Sequence, residues 1–253
     1  MKMVVLIPHH RSRETLGDCV DSIDKAPIVV VDDSPTGGLE LDGVDIVRTT
    51  GSLGFSQAVN LGLEHCMRLG FEHVLILNDD ARLRPGCLQT LQEAWMDSDG
   101  AIAPVVHESD GSVFGICTTS MGRVLVRRTP GPIQAVSGAA ILLRSSERFD
   151  PLFVHGFEDV ELCRRLRKRG LNVRVIDNAH CDHDGGGTID RRSRRAQRHA
   201  MSGHLRFAQG PAQRAMAIAL GVGQVVREGG PPQRLLGVVD GVLDHLRGGI
   251  TPV

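Results

Sequence analysis

The chain predicts an α/β protein built on a mostly parallel sheet, and three observations carry that prediction. Short apolar runs without polar alternation, Met3 to Ile7, Ile28 to Val31 and Val74 to Leu77, read as strands buried on both faces. Segments of helical period separate them, such as Arg13 to Ile23 with Leu16, Cys19, Val20 and Ile23 on one side. The runs also stop abruptly in polar clusters, which is where open α/β sheets place their ligands.

In order, the first strand is expected to end at Pro8, with His9-His10-Arg11 beyond it. The second stops at Asp32-Asp33-Ser34-Pro35. A short third strand, Asp45 to Arg48, leads into Gly51-Ser52-Leu53-Gly54-Phe55-Ser56-Gln57, which opens a helix to about Leu69. Small residues before a helix N-terminus let backbone N–H groups approach an anion. The spacing is neither a Walker A loop nor a dinucleotide fingerprint. Asn60, one turn into this helix, is in a position more often held by a solvated or locally bonded side chain than by a functional one. The fourth strand ends in Asn78-Asp79-Asp80. These are hard oxygen donors suited to Mg²⁺ or Mn²⁺ carrying a diphosphate, or else the start of a turn or helix cap.

Pro85 fits the first turn of a helix reaching Met96. Ala101 to Val106 reads as a strand, His107 to Arg128 as hairpins or a loop, and Gln134 to Leu143 as strand-like around Ser137-Gly138-Ala139-Ala140. Glu158 and Asp159 open a helix closed by Gly170, either as a cap with a first-turn acid or as part of a site. A last strand, Asn172 to Ile176, leads to a polar, glycine-rich segment holding His183.

At 253 residues, with 41% hydrophobic and 23% charged residues and net charge −1, the chain has room for one large domain and shows no global field for nucleic acid. Seven Phe, one Trp and no Tyr leave too few aromatic platforms for single-strand base stacking. Six scattered cysteines without a CxxC pair fit reduced, buried thiols in a cytosolic protein, Cys163 and Cys181 among them as packing. The N-terminus lacks the features of a signal peptide, and no stretch approaches the roughly 20 apolar residues of a membrane span. Residues 190–253 hold ten Arg, no Lys and four acids, a balance of 10 − 4 = +6, on helical apolar spacing. Two readings stand equally. Either these helices pack on the main domain with solvated arginines, or they form a basic amphipathic surface for an anionic membrane or lipid-linked acceptor.

Seven pieces match one family in order. They are Val5-Leu6-Ile7-Pro8, Val30-Val31-Asp32-Asp33-Ser34, Gly51 to Asn60, Leu77-Asn78-Asp79-Asp80, Val136-Ser137-Gly138-Ala139-Ala140, Phe157 to Arg164, and His183 with its trailing glycines. On these the chain resembles family 2 glycosyltransferases of the GT-A fold, particularly rhamnosyltransferase-like members. The resemblance implies a Rossmann-like GT-A domain over residues 1–188 and a helical extension over 189–253. It implies that Asp32 reads the nucleotide base with Pro8 beside it, and that Gly54 and Asn60 wrap the nucleotide. Asn78 would lie near the ribose, Asp79 would stand in the metal triplet, and Asp80 would ligate the metal, with His183 as second ligand. Asp159 would be the catalytic base and Glu158 the adjacent acceptor contact. Asn78 departs from the usual Asp, and His9-His10-Arg11 replaces an aromatic-Asn pair.

The expected activity is transfer of a hexose or deoxyhexose from a UDP- or dTDP-sugar to a hydroxyl on a glycan, lipid-linked or small-molecule acceptor. It would be inverting, since one base and no second nucleophile-like carboxylate stand in the matching motif, and cytoplasmic or peripheral at the inner membrane face. Two alternatives are a sugar-1-phosphate nucleotidyltransferase and a non-catalytic nucleotide-sugar-binding protein. The first is disfavoured by the absence of glycine in Pro8-His9-His10-Arg11.

Overall fold

The computed structural model describes residues 1–10, 13–185, 193–229 and 231–248. Arg11, the glycines Gly186 and Gly187 that trail His183, and Asp190, Arg191 and Arg192 at the start of the basic C-terminal segment lie outside the described residues.

The elements are β1 (Met3–His9), α1 (Arg13–Asp21), β2 (Ile28–Asp32), β3 (Asp45–Arg48), α2 (Phe55–Arg68), β4 (His73–Leu77), β5 (Ala81–Leu83), α3 (Cys87–Ala94) and β6 (Asp99–Glu108). After them come β7 (Gly111–Val113), β8 (Ile116–Thr118), β9 (Val124–Val126), β10 (Ala140–Arg144), α4 (Glu158–Lys168), β11 (Asn172–His183), α5 (Arg194–Phe207), α6 (Pro211–Arg227) and α7 (Pro232–Leu246). The main sheet runs β3-β2-β1-β4-β10-β6-β11-β5, with β7 paired to β6. β3, β2, β1, β4, β6 and β11 share one direction; β10, β5 and β7 run against it. β8 and β9 form a separate hairpin, as the glycine-punctuated stretch suggested.

Burial on both faces explains the unbroken apolar runs. Val4, Leu6, Val29, Val31, Val74 and Ile76 pack with α2 and α4 on one side. Met3, Val5, Ile7, Val30, Leu75 and Leu77 pack with α1 and α3 on the other. All six cysteines are free, and five are buried, Cys117 being only partly so. Burial pushes the Cys163 thiol up to about 12, which leaves it a packing group at neutral pH.

Five local expectations need correction. β1 continues through Pro8 to His9; its ladder with β4 stops at Leu6–Ile76, so only the β2 side remains paired where the proline lacks an N–H. Pro85 stands outside α3, which begins after Gly86. Residues 134–139 are not strand apart from one bridge, Ile116 to Ala135; the strand starts at Ala140. β11 does not end at Ile176 but runs to His183 past a register shift between Ile176 and His180. The cap of α4 is Phe157, in a left-handed conformation with φ 72°, and Glu158 and Asp159 both sit in the first turn.

The C-terminal segment is helical, as expected. α5, α6 and α7 share a small core of Met201, Leu205, Ala217, Val225 and Val238. Phe207 joins the main core, and Arg164 donates from Nη1 to its carbonyl at 2.8 Å. Phe157 stacks on His204 with ring centroids 4.8 Å apart. No helix of the described residues is long and apolar enough to cross a membrane.

Candidate active site

Strand direction gathers the polar clusters on one edge. β1, β2, β4, β6 and β11 present their C-terminal ends there, carrying His9, Asp32, Asn78, Glu108 and His183. β10 runs the opposite way and pairs Ala140 with Leu77, so the segment Ser137-Gly138-Ala139 arrives beside the end of β4. Asn78 donates its N–H to the Ala139 carbonyl at 2.9 Å, and Gly138 donates its N–H to Asp159 Oδ2 at 2.9 Å. One backbone hydrogen bond and one backbone-to-carboxylate hydrogen bond, joined through the Gly138–Ala139 peptide, thus connect the β4 triplet to the first turn of α4. A Cβ on Gly138 would sit 3.3 Å from the Asp159 side chain, so a small residue allows this approach.

Asn78 to Ala81 is a turn, closed by the Ala81 N–H to the Asn78 carbonyl at 3.0 Å. The turn reading and the site reading therefore describe the same residues. Asp79 is buried against His9, with Oδ2 2.8 Å from His9 Nδ1, and anchors the turn to β1. Asp80 is buried too, and its Oδ1 lies 3.1 Å from His183 Nε2. The other ring nitrogen of His183 lies 3.3 Å from Glu108 Oε1. Burial alone would lower the His183 pKa, but the hydrogen bonds to Asp80 and then Glu108 outweigh it and raise it to about 9.

This donor set fits a divalent cation. Asp80 would supply a carboxylate oxygen and His183 an imidazole nitrogen to such an ion. A metal-binding histidine typically donates its second N–H to a carboxylate, and Glu108 occupies that position. Among the described residues no three His, Cys, Asp or Glu side chains converge on a single point, because Glu108 lies behind the ring. Two protein ligands are enough for an ion that keeps waters and bridges substrate phosphates.

Asp159 receives N–H groups on both oxygens, Gly138 on Oδ2 and Val160 at 2.7 Å on Oδ1. Burial raises its pKa and these donors oppose the rise. Burial and the Asp159 charge push the Glu158 carboxyl up to about 8, and its Oε2 is buried without a partner among the described residues. Between pH 4.5 and about 8 the folded chain therefore holds a proton on Glu158 that the unfolded chain has released. Stability falls as pH rises through that window, and the full penalty is present above it. Glu158→Gln removes the penalty, so its urea midpoint should match wild type at acid pH and exceed it increasingly towards alkaline pH. Parallel pH profiles would contradict this.

The glycine loop behaves differently from expectation. Leu53 and Gly54 donate their N–H groups to Asp33, at 2.9 Å and 3.0 Å, and Thr49 donates its hydroxyl to the same carboxylate at 2.6 Å. The anion at this helix start is the protein's own Asp33. Gly54 has φ 86° and ψ 163°, and an added Cβ would stand 3.0 Å from Val154 Cγ1. Gly54→Ala should therefore destabilise by about 1–3 kcal/mol in urea unfolding; an unchanged midpoint would show that the loop relaxes freely.

Asp32 is buried at the end of β2, accepting from Ser34 N at 3.1 Å with Arg48 Nη1 3.5 Å away. Pro8, one residue from the end of β1, pairs with Val31 beside it. Asn60 stands apart: its amide donates to the Phe149 carbonyl and accepts from the Phe149 N–H, both at 2.8 Å. It ties α2 to the loop before α4 instead of reaching the sheet edge. Asp33, His9 and Glu108 are the residues to which sequence reasoning assigned no role. Glu108 ends a strand that runs parallel to β4, the position that marks the other site residues.

The mostly parallel sheet flanked by helices, with its polar residues on the C-terminal edge, is of the GT-A type by its match to solved structures. A crystal structure of GalNAc-T7 with UDP, GalNAc and Mn²⁺ aligns with TM-score 0.62 at 14% identity, over 82% of this chain and 47% of the other. The S. aureus TarS 1-349 structure aligns with TM-score 0.51 at 14% identity, over 86% of this chain and 68% of the other. The chain thus spans about half the length of the GalNAc-T7 chain. No curated protein matches. Two family models match, "Glycosyl transferase family group 2" over residues 73–239 and "Glycosyl transferase family 2" over residues 4–134. The chain belongs to glycosyltransferase family 2.

Proposed function

We propose that this protein is an inverting, divalent-metal-dependent glycosyltransferase that moves a sugar from a nucleoside diphosphate to a hydroxyl acceptor. The observation that carries the reading is the Asp80–His183 pair on the sheet edge, linked through Asn78, Ala139 and Gly138 to Asp159. Asp80 and His183 would hold Mg²⁺ or Mn²⁺, which supplies charge neutralisation for the leaving diphosphate.

The remaining work falls to the chain. Asp159, raised in basicity by burial, takes the proton of the acceptor hydroxyl on one of its oxygens, while the Gly138 and Val160 N–H groups fix the carboxylate plane. Glu158 is largely protonated at neutral pH and so can donate a hydrogen bond to the acceptor. The Asp79–His9 contact holds the β4 turn in place. Asp32 and Pro8, on the adjacent strand ends, are assigned to the nucleotide base, and Asn78 to the ribose. A single base gives one displacement and inversion at the anomeric carbon.

UDP is the first donor nucleotide to test, because GalNAc-T7 is crystallised with UDP and Mn²⁺; dTDP follows, from the rhamnosyltransferase-like motifs. The acceptor is a glycan, a lipid-linked sugar or a small molecule with a free hydroxyl. Thermal shift against UDP and dTDP with and without Mn²⁺, followed by a donor-turnover assay, tests the reading. A Mn²⁺-dependent rise in Tm with one nucleotide and release of that nucleotide from its sugar are expected. Stabilisation by neither nucleotide would contradict it.

A further inference from the structure

α6 and α7 turn an apolar face outward. On α6 the exposed residues Ile218, Val222 and Val226 recur every four positions, and on α7 Val239, Leu243 and Leu246 recur at four and three. Val226 is 66% exposed and Leu246 74%, while Ala217, Val225 and Val238 of the same helices are buried in the core shared with α5. Arg214 stands one turn before Ile218, Arg227 follows Val226, and Arg247 follows Leu246. All three are exposed and have no carboxylate partner among the described residues.

The acids of α6 and α7 and the residue that follows α6 are already engaged. Asp240 pairs with Arg194 at 2.7 Å, Asp244 with Arg198 at 2.5 Å, and Glu228 with Arg234 at 2.8 Å. The exposed Arg214, Arg227 and Arg247 therefore border aliphatic side chains of α6 and α7 with no acid of these two helices left to pair with them among the described residues. We propose that the outer face of α6 and α7 docks on an anionic bilayer surface. Aliphatic side chains enter the acyl boundary and the arginines meet lipid phosphates, as in helices that lie in the interface plane.

A second copy of the chain is the weaker occupant. Like faces would bring the unpaired arginines together, with Glu228, Asp240 and Asp244 already committed within each copy. The helices also carry no Phe, Trp or Tyr, the residues that usually anchor protein interfaces. The proposal is independent of the catalytic reading.

Vesicle co-sedimentation of the full chain tests it. Wild type should bind phosphatidylglycerol-rich vesicles at low salt, bind phosphatidylcholine vesicles far less, and release as salt rises. Val239→Gln with Leu243→Gln, and separately Arg214→Gln with Arg227→Gln and Arg247→Gln, should each weaken binding roughly tenfold or more with unchanged Tm. No binding to the anionic vesicles, or wild-type binding by both variants, would overturn docking. So would a dimer in sedimentation equilibrium that the Val239/Leu243 variant converts to monomer. Vesicle binding without any nucleotide binding would support docking while counting against the transferase reading.

Discussion

Asp159→Asn is expected to lower transfer by about 10²–10⁴-fold, the range for loss of a general base, while leaving nucleotide affinity within about twofold of wild type. The amide keeps the shape of the carboxylate and one oxygen to accept a backbone N–H, so the first turn of α4 persists. What it removes is the basic carboxylate oxygen proposed to take the acceptor proton. Because burial raises the Asp159 pKa, the wild-type rate should also decline on the acid side at a pH above that of an ordinary aspartate. Asp159 and Glu158 are adjacent, so the profile reports the pair. Calorimetry with the nucleotide and single-turnover kinetics separate binding from chemistry. Near-wild-type turnover in Asp159→Asn would remove Asp159 from the mechanism.

The second large effect concerns the metal. Chelation by EDTA should abolish transfer, and Mn²⁺ or Mg²⁺ should restore it. Asp80→Ala should resist restoration at any attainable metal concentration, since it removes one of the two proposed protein ligands. Glu108→Gln weakens only the support behind His183, so metal affinity should fall by about 10–100-fold while saturating metal returns most of the activity. Full activity in metal-stripped wild type would refute the role given to Asp80.

The parts of this account that were legible in the sequence are those with a local physical cause. Parallel strands buried on both faces produce unbroken apolar runs, so β1, β2 and β4 stood out, and the polar triplet after β4 marked the polar edge of the sheet that the proposed site occupies. Legibility failed where the cause is non-local. Residues 134–139 look like strand because Ala135 and Val136 are buried, yet their burial comes from packing and not from a ladder. The continuation of β11 is hidden by exposed Asp177 and Asn178 at the register shift, and its far end is held by the short β5, which the sequence barely signals. The glycine loop suggested an anion site, but no local pattern reveals that Asp33, some twenty residues earlier, fills its N–H groups. Glu108 is 75 residues from His183, and only sheet order brings the two together.

The basic C-terminal segment shows both effects. Its arginine excess and apolar period were visible, but which arginines are neutralised depended on α5 meeting α7.

Crystals soaked with UDP and Mn²⁺, measured for the anomalous scattering of manganese, test the central geometry most directly. The account predicts one strong peak within bonding distance of Asp80 and His183 Nε2, in a cleft that Asp159 also faces. A peak that leaves Asp80 uncoordinated, or a nucleotide bound on a surface that Asp159 does not reach, would contradict it.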